Sequence, residues 1–292
     1  MPWRSVGGDW RAVGGTWNGL GAAVPSGGVS ATGGVELDVG EFRRHDYVTS
    51  GDHTFTVVTG GQVFFEVVAP GGPGGSGQAG GFGGGGAGDV ISGSVTLTPG
   101  TYTLRLGSIG QNPNDAPVIF ATDTIIFLGT SHEQTAVSGG PGGSRDPDQV
   151  AVRGGGGNQS ATTMDGTVRG SMAGAAHPTS FRGGDAGPDF GIGGNFARRT
   201  GGGGRGNAGD GTNGIDSVPG VGGPGVASVA PGLSATYGRG GDGGHAATAS
   251  NGQVGVQPGD GGGGAGSTSG SLKYQGGDGG PPIVHLWYLR AA

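Results

Sequence analysis

Residues 70–88 read PGGPGGSGQAGGFGGGGAG, and Gly71, Gly74, Gly77, Gly80, Gly83 and Gly86 fall at every third position. A third-residue glycine repeat matches the polyproline-II-type helix, which has three residues per turn and no internal hydrogen bonds. A glycine face lets such helices approach backbone to backbone, so the run predicts a strut of a polyglycine-II bundle. The N–H and C=O groups of each strut must then pair with neighbouring struts, because buried main-chain groups need partners. The competing reading of glycine-rich sequence is low complexity without order. The placement of the run between β-rich segments of the same chain favours architecture, with 70–88 as the central helix and the later glycine runs packed around it.

Composition points the same way. Glycine supplies 79 of 292 residues, yet the net charge is only −6. Disordered chains usually carry high net charge. Each glycine held in a fold costs roughly 0.5–1 kcal/mol relative to alanine, so a folded chain of this composition uses glycine for close backbone approach. The absence of cysteine excludes a disulfide framework, thiol catalysis and cysteine-held zinc. An excess of 21 acidic over 15 basic side chains gives no electrostatic footprint for nucleic acid. The longest apolar stretches, such as IVHLWYL (283–289), are too short to span a bilayer. The start, MPWRSVGGDW, lacks the apolar core of a secretory signal. The expectation is synthesis in the cytoplasm, with neither membrane insertion nor a nucleic-acid partner.

Around the glycine run the chain divides into four parts. Residues 1–40 read as an extended arm and linker. WRSVGGD, WRAVGGT and WNGLG place Trp3, Trp10 and Trp17 seven apart, followed by Arg4, Arg11 and Asn18. The paired glycines disfavour a helix, and large aromatics are characteristic interface anchors, so Trp3, Arg4, Trp10, Arg11 and Trp17 are candidate docking residues. Residues 21–40 read as a Gly/Ser/Ala linker. Residues 41–137 read as a β-rich scaffold of about seven strands. In it TFTVV (54–58) and QVFFEVV (62–68) flank the turn Thr59-Gly60-Gly61. VISGSVTL (90–97) and TYTLRL (101–106) flank Pro99-Gly100, a type II turn pair. Each pair is expected to form a hairpin. Phe42–Val48, PVIFA (117–121) and TIIFLG (124–129) supply the remaining candidates.

Residues 138–282 alternate glycine runs with loops, and their phase resets too often for a collagen triple helix. Residues 283–292 supply a last strand that returns to the scaffold. Short strands separated by turn signals predict an all-β fold, a sandwich or jelly roll, with a polyglycine-II bundle and essentially no α-helix.

The order YVTSGDHTFTVVTGGQVFFEVVAPGGPGGSGQAGGFGGGGAG (47–88) and then SGSVTLTPGTYTLRLG (92–107) resembles the glycine-rich domain of bacteriophage tail proteins. In that family a strand pair leads into glycine, a second pair with a Thr-Pro-Gly turn follows, and glycine runs precede a last strand. The match covers about residues 47–290, with SIGQNPNDAPVIFATDTIIFLG (108–129) inserted where the family continues into glycine. The resemblance implies a β-sandwich fused to polyglycine-II helices, with loops at the helix ends that contact a host surface. It implies a non-enzymatic virion protein of the tail tip or fibre, docked on other tail proteins through the arm and presenting loops to a host cell-envelope receptor. By analogy with other tail appendages, a homotrimer is expected.

No catalytic or metal constellation emerges. The histidines are dispersed, and neither a GxSxG elbow nor a Walker A loop is present. No cofactor is expected. Asp185, Asp189, Asp210, Asp242, Asp260 and Asp278 lie among the glycine runs. They are expected to accept main-chain N–H groups, with calcium the alternative. Phe181, Phe190, Phe196, Tyr237 and Tyr274 are read either as caps on the bundle or as host contacts. A bacterial surface or antifreeze-like glycine-helix protein is the alternative function, and a tail-associated depolymerase a further one.

Overall fold

A computed structural model of the chain describes residues 4–6, 9–11, 28–77, 80–111, 118–142, 200–215, 218–245, 248–267 and 274–290. The fold is all-β, and no helix occurs among these residues. One five-stranded sheet has the order β12 (Gln134–Ala136), β11 (Thr124–Ile126), β10 (Gly100–Leu106), β6 (Gly51–Thr59), β3 (Ser30–Thr32). A second has the order β4 (Val35–Val39), β5 (Phe42–Tyr47), β16 (Ile283–Leu289), β7 (Gly61–Val68), β9 (Val90–Leu97). Every pairing within them is antiparallel. Alternate residues of each strand face inward, as the two-residue period requires. Phe55, Val57, Leu104 and Leu106 from the first sheet meet Val63, Phe65, Val67, Val284 and Leu286 from the second in one buried cluster. This is the core of a sandwich.

Neither expected hairpin forms. β6 pairs with β10, from Val57↔Gly100 to Leu106↔Gly51. β7 pairs with β9, from Gly61↔Leu97 to Val68↔Val90. Residues 59–61 and 98–100 are therefore corners at which a bonded pair of strands passes from one sheet to the other, and Gly100 opens β10 rather than closing a type II turn. The two corners nest. A Cβ at Gly60 would lie 2.7 Å from the Leu97 carbonyl oxygen and 3.1 Å from Pro99 Cδ.

Three further expectations change. Residues 29–39 are not linker, because β3 and β4 extend the two sheets. Of the stretch 117–121, the described residues 118–121 supply only an isolated bridge, Gln111–Ile119. Within the expected extended arm, β1 (Arg4–Val6) and β2 (Asp9–Arg11) pair as a hairpin, with Arg4 opposite Arg11 and Ser5 opposite Trp10.

The glycine-rich segments form a main-chain lattice. We number its struts I (70–77), II (80–89), III (138–142), IV (200–206), V (209–213), VI (218–225), VII (238–245), VIII (250–256), IX (259–267) and X (274–282). Short ladders lie at their ends, with β8 (Gly80–Gly81) paired to β15 (Gly266–Ser267) and β13 (Val226–Ala227) to β14 (Thr236–Tyr237). Strut II shows the rule. The amides of Phe82, Gly85 and Gly88 donate to strut IX, those of Gly84 and Ala87 to strut IV, and that of Gly86 to strut III. The carbonyls of Gly83 and Gly86 accept from strut I, and those of Phe82 and Gly85 from strut VII. Each third residue thus addresses one neighbour, as three residues per turn dictates.

The run 70–88 is two struts, not one. Gly72 N donates to Gly86 O at 2.9 Å and Gly75 N to Gly83 O at 2.8 Å, so struts I and II are antiparallel neighbours. Doubling back lets both halves use each other's main-chain groups. The third-residue phase still has a meaning. Gly71, Gly74 and Gly77 all donate to strut X, at 3.0, 2.8 and 3.2 Å. A Cβ at Gly74 would overlap the Gly263 carbonyl of strut IX.

Candidate functional site

The lattice has two ends of different character. At the sandwich end, struts join strands β7, β9, β12 and β16, and the linkage between struts VI and VII folds over the second sheet. At the far end lie Gly77 and Gly80, Ile215 and Val218, His245 and Ser250, and Ser267 and Tyr274, the described residues at which consecutive struts end and begin. The chain also leaves strut III at Gly142 and re-enters at Thr200 there. This placement follows from register. Thr200 bridges His245, Gly77 bridges Tyr274, and Ser250 bridges Gly266, all one strut length from the sandwich.

The sandwich end is fastened by buried polar groups on the sheet face away from the core. Glu66 of β7 accepts from Ser228 Oγ and, at 2.8 Å, from Val229 N. Arg44 of β5 holds Asp46 through two bonds of 2.8 and 2.9 Å and donates to the Pro231 carbonyl. His285 Nδ1 lies 2.6 Å from Asp46 Oδ1, and its Nε2 lies 3.2 Å from Tyr237 Oη. Burial opposes the charge on Asp46, but the hydrogen bonds from His285 and Arg44 outweigh it and hold the carboxyl below its ordinary range. Burial pushes the Tyr237 hydroxyl up. A carboxylate–imidazole–hydroxyl series is the geometry of a relay, but here Tyr237 is 3% exposed and His285 1%. An enclosed hydroxyl held neutral cannot meet a substrate, so the series fastens the 226–237 segment to the sheet.

A second fastening lies where strut II runs into β9. Arg205, fully buried in strut IV, pairs with Asp89 at 3.4 Å. Asp89 also accepts from Val137 N at 3.3 Å. Burial lowers the Arg205 pKa and the Asp89 charge offsets part of that. Asp260 accepts the amides of Arg239 and Gln257 at 2.9 and 3.0 Å, and burial raises its pKa above the ordinary value. Asp242 accepts from Gly222 N at 2.8 Å. These two aspartates do what short carboxylates among glycines are expected to do.

The sequence-predicted contact residues separate. Tyr237 is buried at the sandwich end, stacked on His285 with ring centroids 6.1 Å apart, and so is a cap rather than a surface contact. Tyr274 sits at the far end, half-buried and paired with Gly77. Arg4, Trp10 and Arg11 belong to the β1–β2 hairpin. Trp3, Trp17, Phe181, Phe190 and Phe196 lie outside the described residues, as do Asp185 and Asp189. Sequence reasoning passed over Ile215 and Val218, which bridge each other at the far end and are 63% and 64% exposed. Their signal was available: two apolar residues three apart between glycine runs that otherwise carry few.

A family model for a glycine-rich domain matches residues 48–288, which run from the end of β5 through the corners and the glycine struts into β16. The chain belongs to the glycine-rich domain family. No curated protein matches it. The glycine-rich domain so delimited begins after β5 and ends within β16. The residues ahead of it extend both of its sheets, β5 pairing with β16 and β3 with β6.

Proposed function

We propose that the chain is a non-enzymatic structural protein of a bacteriophage virion, a minor tail component of the tip or fibre that presents loops to the host surface. The observation that supports this reading is the separation of the two lattice ends. One end is tied to the sandwich through Glu66, Asp46, Arg44 and Asp89, while five chain connections, including that between Gly142 and Thr200, gather at the other. A lattice held by main-chain bonds carries loops of any sequence, because its stability does not draw on them, and loops are where binding concentrates. In this reading the N-terminal hairpin and its tryptophans dock on another tail protein, and the far-end loops meet a host-envelope receptor. The test is adsorption. Purified protein added to host cells should slow phage attachment in proportion to its occupancy, and antibodies against it should label the tail tip. Virions that lack the protein and adsorb normally would sink the proposal.

A further inference from the structure

Strut VIII lies at the margin of the lattice. It bonds to strut IX through Gly263 N and Gln253 O at 2.6 Å, and to strut X through Gly252 N and Gly255 N at 2.8 Å each. Beside it the lattice surface opens into a groove of about 1250 Å³, floored by struts VII and IX and walled by strut VIII on one side and by Val221 and the 233–236 segment on the other.

Two features set this groove apart. Its floor leaves main-chain groups unused. Among the described residues, the carbonyls of Gly240, Gly243, Gly261 and Gly264 and the amide of Asp242 take part in no hydrogen bond within the chain. Gly240 and Gly243, like Gly261 and Gly264, are three residues apart, so the free acceptors recur every ~9 Å, the repeat of a polyglycine-II helix. Its walls are apolar and uncovered, with Val254 60%, Val256 77% and Val221 53% exposed. Main-chain acceptors at this repeat are matched by main-chain donors at the same repeat, which another extended polypeptide supplies. A saccharide has hydroxyls in no such register, and among the described residues no Phe, Tyr or Trp lines the groove for a sugar ring to stack on.

We infer that the groove is filled by strut VIII of a second copy of this chain. Strut VIII meets each requirement. The Gly252 and Gly255 amides are taken up by strut X, but those of Asn251 and Val254, also three residues apart, take part in no hydrogen bond among the described residues, and Asn251, Gln253, Val254 and Val256 are exposed. It also borders the groove that it would enter. Seating it beside its counterpart therefore brings the counterpart into its own groove, and one contact serves both copies. That reciprocity is the mark of a two-fold, isologous interface. It buries the wall valines of both molecules and specifies a pair, not the trimer that analogy with tail appendages suggests. The inference does not depend on the virion reading.

Sedimentation equilibrium of the full chain at micromolar concentration should give twice the 28.0 kDa chain mass. Val254→Arg combined with Val256→Arg should return it to the monomer mass with the thermal transition of the isolated subunit unchanged, since both side chains are exposed in one copy. The chain has no cysteine, so Gln253→Cys alone should cross-link to itself through a short bismaleimide. A monomer at every concentration, a trimer, or a dimer that survives the double substitution and does not cross-link at position 253 would overturn the inference. So would a monomer that binds a soluble glycan and loses it on the valine substitutions.

Discussion

Arg205 Nη2 meets Asp89 Oδ1 at 3.4 Å, and the guanidinium is wholly enclosed at the boundary between glycine lattice and sandwich. Removing one member takes from the other its countercharge in a buried site, which costs about 3–5 kcal/mol. Arg205→Met and Asp89→Asn should each lower stability on that scale in urea denaturation. The double variant should lose less than the sum, because neither charge is then buried without its countercharge.

The lattice tolerates no side chain where two backbones touch. A Cβ at Gly85 would overlap the Gly72 carbonyl, whereas at Gly100 the nearest group is Tyr102 Cε2, 4.0 Å away. Gly85→Ala should destabilise by about 1–3 kcal/mol or more through forced separation of struts I and II. Gly100→Ala should stay within about 0.5 kcal/mol of the parent. Melting temperatures of the two variants, measured side by side, check the contrast.

His45 is fully buried, with Nδ1 2.7 Å from the Gly33 carbonyl and Nε2 3.2 Å from Tyr288 Oη. Burial lowers its pKa below the ordinary 6.5. Between its depressed folded pKa and the ordinary value, such a base is neutral in the fold and protonated in the unfolded chain. Its contribution is complete above the ordinary value and is lost as pH falls from there toward the folded value. Asp46 acts lower down, its contribution being present above 3.8 and lost as pH falls through its lowered folded value. Stability against pH should therefore fall in two separate steps, and His45→Gln should flatten the first alone.

Glu66 holds the 226–237 segment through Ser228 and Val229. Glu66→Ala leaves a part-buried amide and a part-buried hydroxyl without that acceptor, at about 1–3 kcal/mol. Hydrogen exchange should accelerate across 226–237 while β6 and β10 keep their protection. Uniform acceleration over the whole chain would show that the segment is not an independently fastened unit.

The strands β5, β6, β7, β9, β10 and β16 and the glycine struts were legible from alternation and from the three-residue period, because both are imposed by local backbone geometry. The partners of those strands were not. Gly60-Gly61 and Pro99-Gly100 carry the turn chemistry of a hairpin, and a corner between sheets needs the same residues. What separates the two is the register of Gly61 with Leu97 and of Gly100 with Val57, which is a long-range property. The β4–β5 hairpin could have been found. VELDV and FRRHDY flank the two-residue turn Gly40-Glu41, Gly40 has φ 59°, and Asp38 stands opposite Arg43. The reversal of 70–88 left no mark, since glycine spacing is the same in one long strut and in two short ones. Among the contact candidates, the burial of Tyr237 depended on His285, which is 48 residues away.

The place of β16 has a consequence for how the molecule is made. It lies between β5 and β7 in the middle of its sheet, yet among the described residues it is the last strand in sequence. During synthesis β5 and β7 must wait with bonding edges open until every glycine strut has been translated. A product that stops anywhere within the lattice has no way to close its sandwich. Arrival of β16 is thus itself the signal for the sandwich to close, and a copy truncated ahead of it displays unpaired edges that invite aggregation.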